Sequence, residues 1–346
     1  WGADKVAGFF TAADYSTGGT GEVIVQVKQG ELVADIGNNL FRQDVVKSAK
    51  AFVDAATESP EGRNIQPGSY KLRKQMRAKD ALSALLNLEN KVAMRVTIQE
   101  GLSYKGTFTL LEKATKIPTS EFEAAAADPV SLGVPEFWFQ RNDGKPVEKS
   151  LEGFLFPATY EFEPGFTAKS ILETMVFRFN REMEGLDFIN RVQKERQISP
   201  FEALIVASLA QVESGNIDDL GKVARVAYNR AYKKSMPLQF DVTANYWLIK
   251  QGKPSKSSSN LTDAELNDAG NPYNTGPSSK GLPAGPISNP GKAALMGAMD
   301  PVPGDWVYFV AVDKSGHSAF AVTDAEHVAN IRKSCAAGVL TGSVCQ

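Results

Sequence analysis

The chain has 346 residues, of which 42% are hydrophobic, and its 38 Lys and Arg nearly balance 40 Asp and Glu, giving a net charge of −2. This length supports two or three domains with cores of their own, and the composition is typical of a globular protein. The charge balance and the lack of a long basic run argue against nucleic acid as a partner. No apolar run approaches the roughly 18–20 residues that span a bilayer.

Cysteine and histidine are scarce, with two of each in the chain. We therefore expect no zinc site of the Cys/His type. Cys335 and Cys345 stand in the last dozen residues, where they could close a short loop as a disulfide in an oxidising compartment or remain free thiols. The sequence begins at Trp1, and we expect a signal segment or membrane anchor to precede it in the full protein.

The N-terminal region reads as a lead-in followed by a small module. Residues 1–20 are rich in Gly, Thr and Ala and predict a loosely ordered lead-in. Residues 21–95 then predict a strand, two helices and a strand, an order typical of carbohydrate-binding LysM-type modules. The predicted elements are a strand at 23–27, a helix through Leu32, Ile36 and Leu40, a helix at 48–56, and a strand that follows the turn at 65–70.

Residues 96–197 predict a middle α/β segment. Val25–Gly30 (VQVKQG) resembles Val96–Gly101 (VTIQEG), and a helical pattern follows each, which indicates a duplicated strand-turn-helix unit. A short helix at 120–127 and a packed aromatic strand and turn at 151–160 come next. A long helical pattern over 168–197, broken near Gly185, leads into a helix with clear capping residues.

The most informative stretch is the predicted helix that ends at Glu213. Ser199 is a good N-cap, Pro200 suits the first helical position, and Glu202 completes a capping box. Gly215 is predicted to end the helix in the left-handed conformation. Nearly every residue between these caps is apolar or small, so we expect a helix that is buried on most sides.

Two effects favour the protonated form of Glu213 in such a helix. Desolvation disfavours the carboxylate, and the negative end of the helix dipole repels it. A carboxyl group that stays protonated near neutral pH can act as a general acid on a glycosidic oxygen. The alternative interpretation is a buried Glu213 that pairs with Arg225 or Arg230.

The remaining elements complete a predicted catalytic domain at 198–334 with a tail at 335–346. A helix at 219–232 and a second toward Ile249 are followed by a polar, exposed excursion at 251–270. Residues 271–291 form a long loop rich in Gly, Pro, Asn and Ser, a composition and length common in functional loops. A buried strand at 306–312 is expected to pair with 317–322 as a hairpin.

Several blocks of this sequence resemble the YceG-like endolytic murein transglycosylases, in the order and at the spacings of that family. The blocks cover nearly the whole chain: Ile65–Tyr70, Val96–Gly101, Val206–Gly215 (VASLAQVESG), Val226–Arg230 (VAYNR), Met236–Asp241 (MPLQFD), Pro272–Thr275 (PYNT), Lys280–Gly291 (KGLPAGPISNPG), Tyr308–Val310 and Gly316-His317. The resemblance implies an endolytic lytic transglycosylase that cleaves MurNAc-GlcNAc bonds of nascent strands without water, forms 1,6-anhydroMurNAc ends and limits strand length.

The family's single catalytic glutamate corresponds to Glu213, which would act first as acid and then as base. One residue in both roles removes the need for a second carboxylate about 5–9.5 Å away, the arrangement of ordinary glycosidases. The resemblance further implies substrate-binding roles for Ser214, Tyr228, Asn229, Gln239, Asp241, Tyr273, Asn274 and His317. Asp241 could instead be the N-cap of the following helix, Tyr228 and Asn229 could be core or turn residues, and Glu152 could lie at the cleft or at the surface.

The resemblance therefore predicts an α+β protein: a LysM-like module, a middle segment, and a lysozyme-like, mainly helical catalytic domain with a small β-hairpin. It implies no metal and no organic cofactor. Peptidoglycan strands are the implied substrate, and penicillin-binding proteins or other cell-wall synthases are the implied partners. It also implies a cell-membrane protein with one anchor, absent from this sequence, and with this region on the extracytoplasmic side.

Two other functions stay open at this point. A hydrolytic muramidase would use the same acid with Asp241 as the second carboxylate, and a non-catalytic peptidoglycan-binding scaffold would bind strands independently of Glu213. A serine hydrolase is disfavoured because the chain has no Gly-x-Ser-x-Gly elbow, and His327 lies in a polar C-terminal segment.

Overall fold

The computed structural model describes residues 12–257 and 260–345. Its contacts divide the chain into two units. The first contains the described residues up to Val96 together with Tyr160–Phe166, and the second contains Thr97–Thr159 together with the described residues from Thr167 onward. Residues 97–159, which the sequence places in a middle segment, therefore belong to the same unit as the helix of Glu213.

The first unit has the strand, helix, helix, strand order that the sequence predicts. Its elements are β1 (Gly18–Val27), α1 (Val33–Arg42), α2 (Ala49–Glu58), β2 (Gly68–Met76) and α3 (Ala78–Leu86). β1 and β2 are antiparallel, with Val25 opposite Tyr70, and the helices bury Leu40 and Phe52 against them.

The expectation of a loose lead-in over residues 1–20 is wrong for its last residues, and residues 1–11 lie outside the described part. Gly18 and Thr20 already belong to β1, where they pair with Met76 and Lys74, and a register shift follows Thr20. Asp14 accepts the backbone N–H of Ala78 at the start of α3. Partners distant in sequence thus order this segment.

A second two-stranded sheet joins β3 (Met94–Thr97) and β4 (Thr159–Phe162). The two segments that resemble each other do share a strand, turn, helix order, because β1 leads to α1 and β3 leads to α4 (Tyr104–Thr115). The aromatic segment at 151–160 is mostly buried turn and becomes strand only at its end.

The second unit is mainly helical and carries one hairpin, as predicted. A break after Gly185 interrupts the long helical pattern, and the hairpin strands are antiparallel, although the first is half-buried rather than buried. The elements after α4 are α5 (Thr119–Ala125), α6 (Ala168–Gly185), α7 (Phe188–Arg191), α8 (Pro200–Glu213), α9 (Leu220–Tyr228), α10 (Val242–Lys250), α11 (Asp263–Leu266), α12 (Lys292–Met299), β5 (Tyr308–Ala311), β6 (Ser318–Ala321) and α13 (Asp324–Ala336). Short 3-10 or π turns cover Leu88–Asn90, Val130–Leu132, Glu136–Phe139, Val192–Arg196, Ile217–Asp219, Asn229–Lys233 and Ser343–Cys345.

Helix α8 is the central element of this unit. All eleven residues of its first three turns, Pro200 to Ala210, are buried, which agrees with its uniformly apolar sequence. The predicted capping box is formed: the Ser199 hydroxyl accepts the N–H of Glu202, and the Glu202 carboxylate accepts the N–H of Ser199 at 2.8 Å. Glu202 also accepts the Tyr232 hydroxyl at 2.7 Å, so the start of α8 is firmly held.

The end of α8 differs from the prediction. Its C-cap is Ser214 with extended backbone angles (φ −84°, ψ 123°), and Gly215 does not adopt the left-handed conformation. Gly215 instead lies in a close approach: a Cβ there would be 3.0 Å from the Gly316 Cα. In turn, a Cβ on Gly316, which lies in the β5–β6 turn at φ +83°, would come within 2.5 Å of the Gly215 oxygen. The hairpin tip therefore rests directly on the loop that follows Glu213.

The C-terminal segment is more ordered than the sequence suggests. The polar stretch around His327 forms α13, which begins with a capping box between Thr323 and Glu326. Cys335 and Cys345 form a disulfide, the first of the two alternatives left open. None of the helices within residues 12–257 and 260–345 combines the length and apolarity needed to cross a membrane.

The contact between Gly215 and Gly316 yields a prediction about stability. We expect Gly316→Ala to lower the melting temperature by several degrees, because its methyl group meets backbone atoms that cannot move aside cheaply. Thermal unfolding followed by circular dichroism measures the change. Gly338→Ala is the matched control, since Gly338 also has a positive φ (+65°) but open space around it. Equal decreases in melting temperature for both variants would show that the close approach of Gly316 to Gly215 does not affect stability.

Candidate active site

Glu213 lines a cleft of about 340 Å³ at the C-terminal end of α8. The cleft is also lined by Arg230 after α9, Gln239 and Asp241 before α10, and His327 of α13. Three neighbouring stretches of the chain and the distant helix α13 thus meet around one carboxyl group. Two of the predicted substrate-binding residues, Gln239 and Asp241, are among them.

The surroundings of Glu213 hold its carboxyl group protonated near neutral pH. Burial is the main cause, with the negative charge of Asp241 adding to it, and together they raise the pKa of Glu213 to about 8. A hydrogen bond from the backbone N–H of Val242 and the charge of Arg230 oppose this shift only in part. One carboxyl oxygen, Oε1, is buried without a hydrogen-bond partner among the described residues.

The alternative of an ion pair with Arg225 or Arg230 is not observed in the part of the chain that the structure describes. Arg230 directs its guanidinium group at the carbonyl oxygens of Val307 (2.5 Å) and Leu238 (2.7 Å). Arg225 donates to the carbonyls of Pro301 and Val302. Both arginines therefore hold backbone segments together, and Arg230 acts on Glu213 only through its charge.

Gln239 and Asp241 are presented on the loop between α9 and α10. Gln239 is exposed, adopts a left-handed conformation (φ +54°), and donates its backbone N–H to the Thr275 oxygen at 2.7 Å. Asp241 occupies the N-cap position of α10, but its side chain makes no capping hydrogen bond there. The capping role considered for Asp241 is therefore not observed, and its carboxylate lies close enough to Glu213 to raise that residue's pKa.

Ser214 and His317 are held near the end of α8 and do not belong to the cleft lining. The Ser214 hydroxyl donates to the Asn216 oxygen at 2.6 Å. His317, at the tip of the hairpin, lies with Nδ1 2.9 Å from Asp313 and Nε2 3.0 Å from the Asn216 side chain. These bonds join the loop after α8 to the hairpin.

Tyr228 is the last residue of α9 and Asn229 begins the turn after it; both are buried and neither belongs to the cleft lining. Tyr228 donates its hydroxyl to the Ala298 oxygen of α12. Asn229 donates to the backbone oxygens of Gly304 and Trp306 at 3.0 and 2.8 Å. Their side chains therefore bind protein backbone in this state, as the core and turn alternatives expected.

Tyr273 and Asn274 also have structural partners. Tyr273 is 0% exposed and packs edge-on against Tyr246, with ring centroids 4.8 Å apart. Asn274 donates to the Asp268 oxygen and accepts the N–H of Gly276, which shapes its loop. Neither residue lines the cleft of Glu213.

Glu152 is a second carboxyl group whose pKa burial raises to about 8. It is 0% exposed, so the surface alternative is wrong, and it does not line the cleft of Glu213. Its oxygens accept the N–H of Tyr104 at the start of α4 and the hydroxyl of Tyr246 on α10, each at 2.9 Å. Glu152 thus connects α4 with the helix that borders the cleft.

His327 is a cleft residue that the sequence reasoning missed. Its ring stacks on Tyr308 at 4.9 Å between centroids, and burial together with the charge of Arg230 lowers its pKa. The Thr323-x-x-Glu326 capping box would have revealed the helix, but only the fold reveals which face of it meets β5. Within residues 12–257 and 260–345, no cluster of three or more metal-ligating side chains is found.

Comparisons with known proteins agree on one group of relatives. A family model described as the YceG-like family matches residues 25–333. An endolytic murein transglycosylase of Bacillus subtilis is 30% identical over 311 residues, which cover 88% of this chain and 82% of the relative. One from Streptococcus pneumoniae is 26% identical over 89% of this chain but only 58% of its own length. A crystal structure of a yceG-like protein from Listeria monocytogenes matches with a TM-score of 0.58 and 25% identity, covering 88% of this chain and 97% of that one.

The raised pKa of Glu213 predicts a pH-dependent effect of Glu213→Gln on stability. Between pH 4.5 and 8 the folded wild type retains a proton that the unfolded chain loses, so its stability falls as the pH rises through this window. Glutamine removes this dependence at position 213. We therefore expect Glu213→Gln to be more stabilising, relative to wild type, at pH 9 than at pH 5.

Urea unfolding at the two pH values measures this difference. Glu184→Gln, at an exposed position on α6, is the control that should give the same difference at both. A constant effect of Glu213→Gln at pH 5 and pH 9 would contradict the assignment of a raised pKa.

Proposed function

Because the chain belongs to the YceG-like family, we propose that it is an endolytic peptidoglycan lytic transglycosylase whose single catalytic acid and base is Glu213. The observation that carries this proposal is a carboxyl group at the edge of a cleft with a pKa raised to about 8. Such a group is protonated at neutral pH and can donate to a glycosidic oxygen.

The reaction proceeds in two proton transfers at the same carboxyl group. Glu213 donates its proton to the oxygen between MurNAc C1 and GlcNAc C4 while the C1–O bond breaks, and positive charge develops at C1. The C6 hydroxyl of the same MurNAc then attacks C1 and returns its proton to the Glu213 carboxylate. The products are a 1,6-anhydroMurNAc end and a new GlcNAc C4 hydroxyl, and no water is consumed.

The neighbours of Glu213 suit the carboxylate that exists between these transfers. The N–H of Val242 and the charge of Arg230 both favour the Glu213 carboxylate. They therefore lower the free-energy cost of forming this anion in a buried site. The negative charge of Asp241 favours positive charge at C1 of the sugar. Gln239, exposed at the cleft wall, provides an amide for sugar hydroxyl or acetamido groups.

The other residues implied by the resemblance are assigned supporting roles. Ser214 and His317 fix the rim at the end of α8, and Tyr228 and Asn229 anchor α9 to the segment before β5. Tyr273 and Asn274 shape the loop behind α10. Direct contact of a sugar with the buried side chains of Tyr228, Asn229 and Tyr273 would require rearrangement of the structure.

The wider setting follows from the same proposal. The first unit is assigned a LysM-like glycan-binding role and the second a lysozyme-like catalytic role. Cleavage within nascent strands limits their length beside penicillin-binding proteins or other synthases. The described region would act on the extracytoplasmic side of a membrane to which a single N-terminal anchor attaches it.

The first test is mass spectrometry of the products formed from uncrosslinked glycan strands by the wild type and by Glu213→Gln. We expect internal fragments with 1,6-anhydroMurNAc ends from the wild type and a loss of at least a thousandfold in rate for the variant. Asp241→Asn is the comparison variant, because a hydrolase needs a second carboxylate.

Each other product pattern supports a rival function. Reducing MurNAc ends that disappear with Asp241→Asn would identify a hydrolytic muramidase. Strand binding without products, equal in the wild type and in Glu213→Gln, would identify a scaffold and refute the enzyme.

A further inference from the structure

A second cavity lies directly beside the cleft of Glu213. It has a volume of about 600 Å³ and shares Val242 with that cleft, while Val212, the residue before Glu213, forms part of its wall. Residues of α4, α8 and α10 line it, so it is contained entirely within the second unit. A glycan strand bound at Glu213 therefore has a neighbouring cavity in which a substituent of one of its sugars can lie.

The wall of this cavity is mainly apolar but open to solvent. Val212 and Ile249 remain 40% exposed, and Ile287 and Leu102 also face the space. Aliphatic side chains that line a cavity beside an acid are available to methyl groups of a ligand, because removing apolar surface from water is favourable. Sugar rings, which are covered with hydroxyl groups, make little use of such a wall.

One cation at the cavity is available for a ligand. Lys105, in the first turn of α4, lines the space and forms no salt bridge with any residue that the structure describes. Lys256, the other lysine on the wall, lies 2.6 Å from the Glu265 carboxylate and is neutralised by it. The cavity thus combines an aliphatic wall with a single positive charge that has no protein counter-ion.

We propose that this cavity is a subsite for the peptide stem of a muramic acid residue. The stem is attached through the lactyl group of that sugar, and it presents alanine methyl groups together with free carboxylates. Its methyl groups match Val212 and Ile249, and a carboxylate matches the charge of Lys105. This subsite rests on the proposed transglycosylase function and adds that the enzyme distinguishes strands with stems from bare glycan.

The test compares kcat/KM on two forms of the same uncrosslinked strands, one with stems and one stripped of them by an amidase. Formation of 1,6-anhydroMurNAc ends is the readout. We expect the wild type to favour strands with stems about tenfold, and we expect Lys105→Gln to reduce this ratio to near one, as loss of a charge-assisted contact predicts. Ile249→Ser should lower the ratio as well, because it removes part of the aliphatic wall.

Lys113→Gln, which removes an exposed charge from the last turn of the same helix, is the matched control and should keep the wild-type ratio. Equal cleavage of both substrates by the wild type would overturn the subsite and leave the transglycosylase in place. An unchanged ratio in both Lys105→Gln and Ile249→Ser, with normal melting temperatures, would do the same. Absence of anhydro ends from both substrates would refute the enzyme and the subsite together.

Discussion

The burial of α8 on almost every side governs both the position and the charge of the carboxyl group at its end. The two glutamates of this helix show the effect. Glu202, at the N-terminal end, has the Ser199 N–H and the Tyr232 hydroxyl as donors. Glu213, at the opposite end, has a buried oxygen without a partner among the described residues. The same helix therefore carries one carboxyl group with hydrogen-bond donors and another whose buried Oε1 has no partner among the described residues.

Helix α10 is the second element on which the site depends, because it is held at its start and again one turn later. At its start, Val242 donates to Glu213. One turn later, the Tyr246 hydroxyl donates to Glu152, which also binds the first turn of α4. Val242 and Tyr246, which belong to the wall between the two cavities, are therefore held by the carboxyl groups of Glu213 and Glu152. Neither carboxyl group forms a salt bridge within the described residues. A small displacement of α10 would change both cavities at once.

Local features of the sequence allowed good predictions where local interactions decide the structure. The capping box of Ser199 and Glu202, the uniform apolarity of α8 and the hairpin of β5 and β6 all follow from neighbouring residues. The raised pKa of Glu213 followed from its place at the end of such a helix. Gln239 and Asp241 were identified from their resemblance to a family motif rather than from any pattern of charge.

The remaining features depend on contacts between distant segments, which no window of sequence contains. Gly215 resembles a helix-ending glycine, but a side chain is disfavoured there because the backbone of Gly316, about a hundred residues later, lies against it. Tyr273 and Asn229 have side chains suited to sugars, yet here they bind protein partners. His327 enters the cleft only because α13 packs on β5, where the Ser334 hydroxyl donates to the Ala311 oxygen.

The disulfide between Cys335 and Cys345 gives α13 a further significance. His327 and Cys335 stand on this one helix, separated by about 12 Å of axial rise. The disulfide closes a loop that restrains the final turn of α13, the helix that brings His327 to the cleft. This restraint forms only where thiols can be oxidised, so the redox state of the surroundings decides whether the end of α13 is covalently closed.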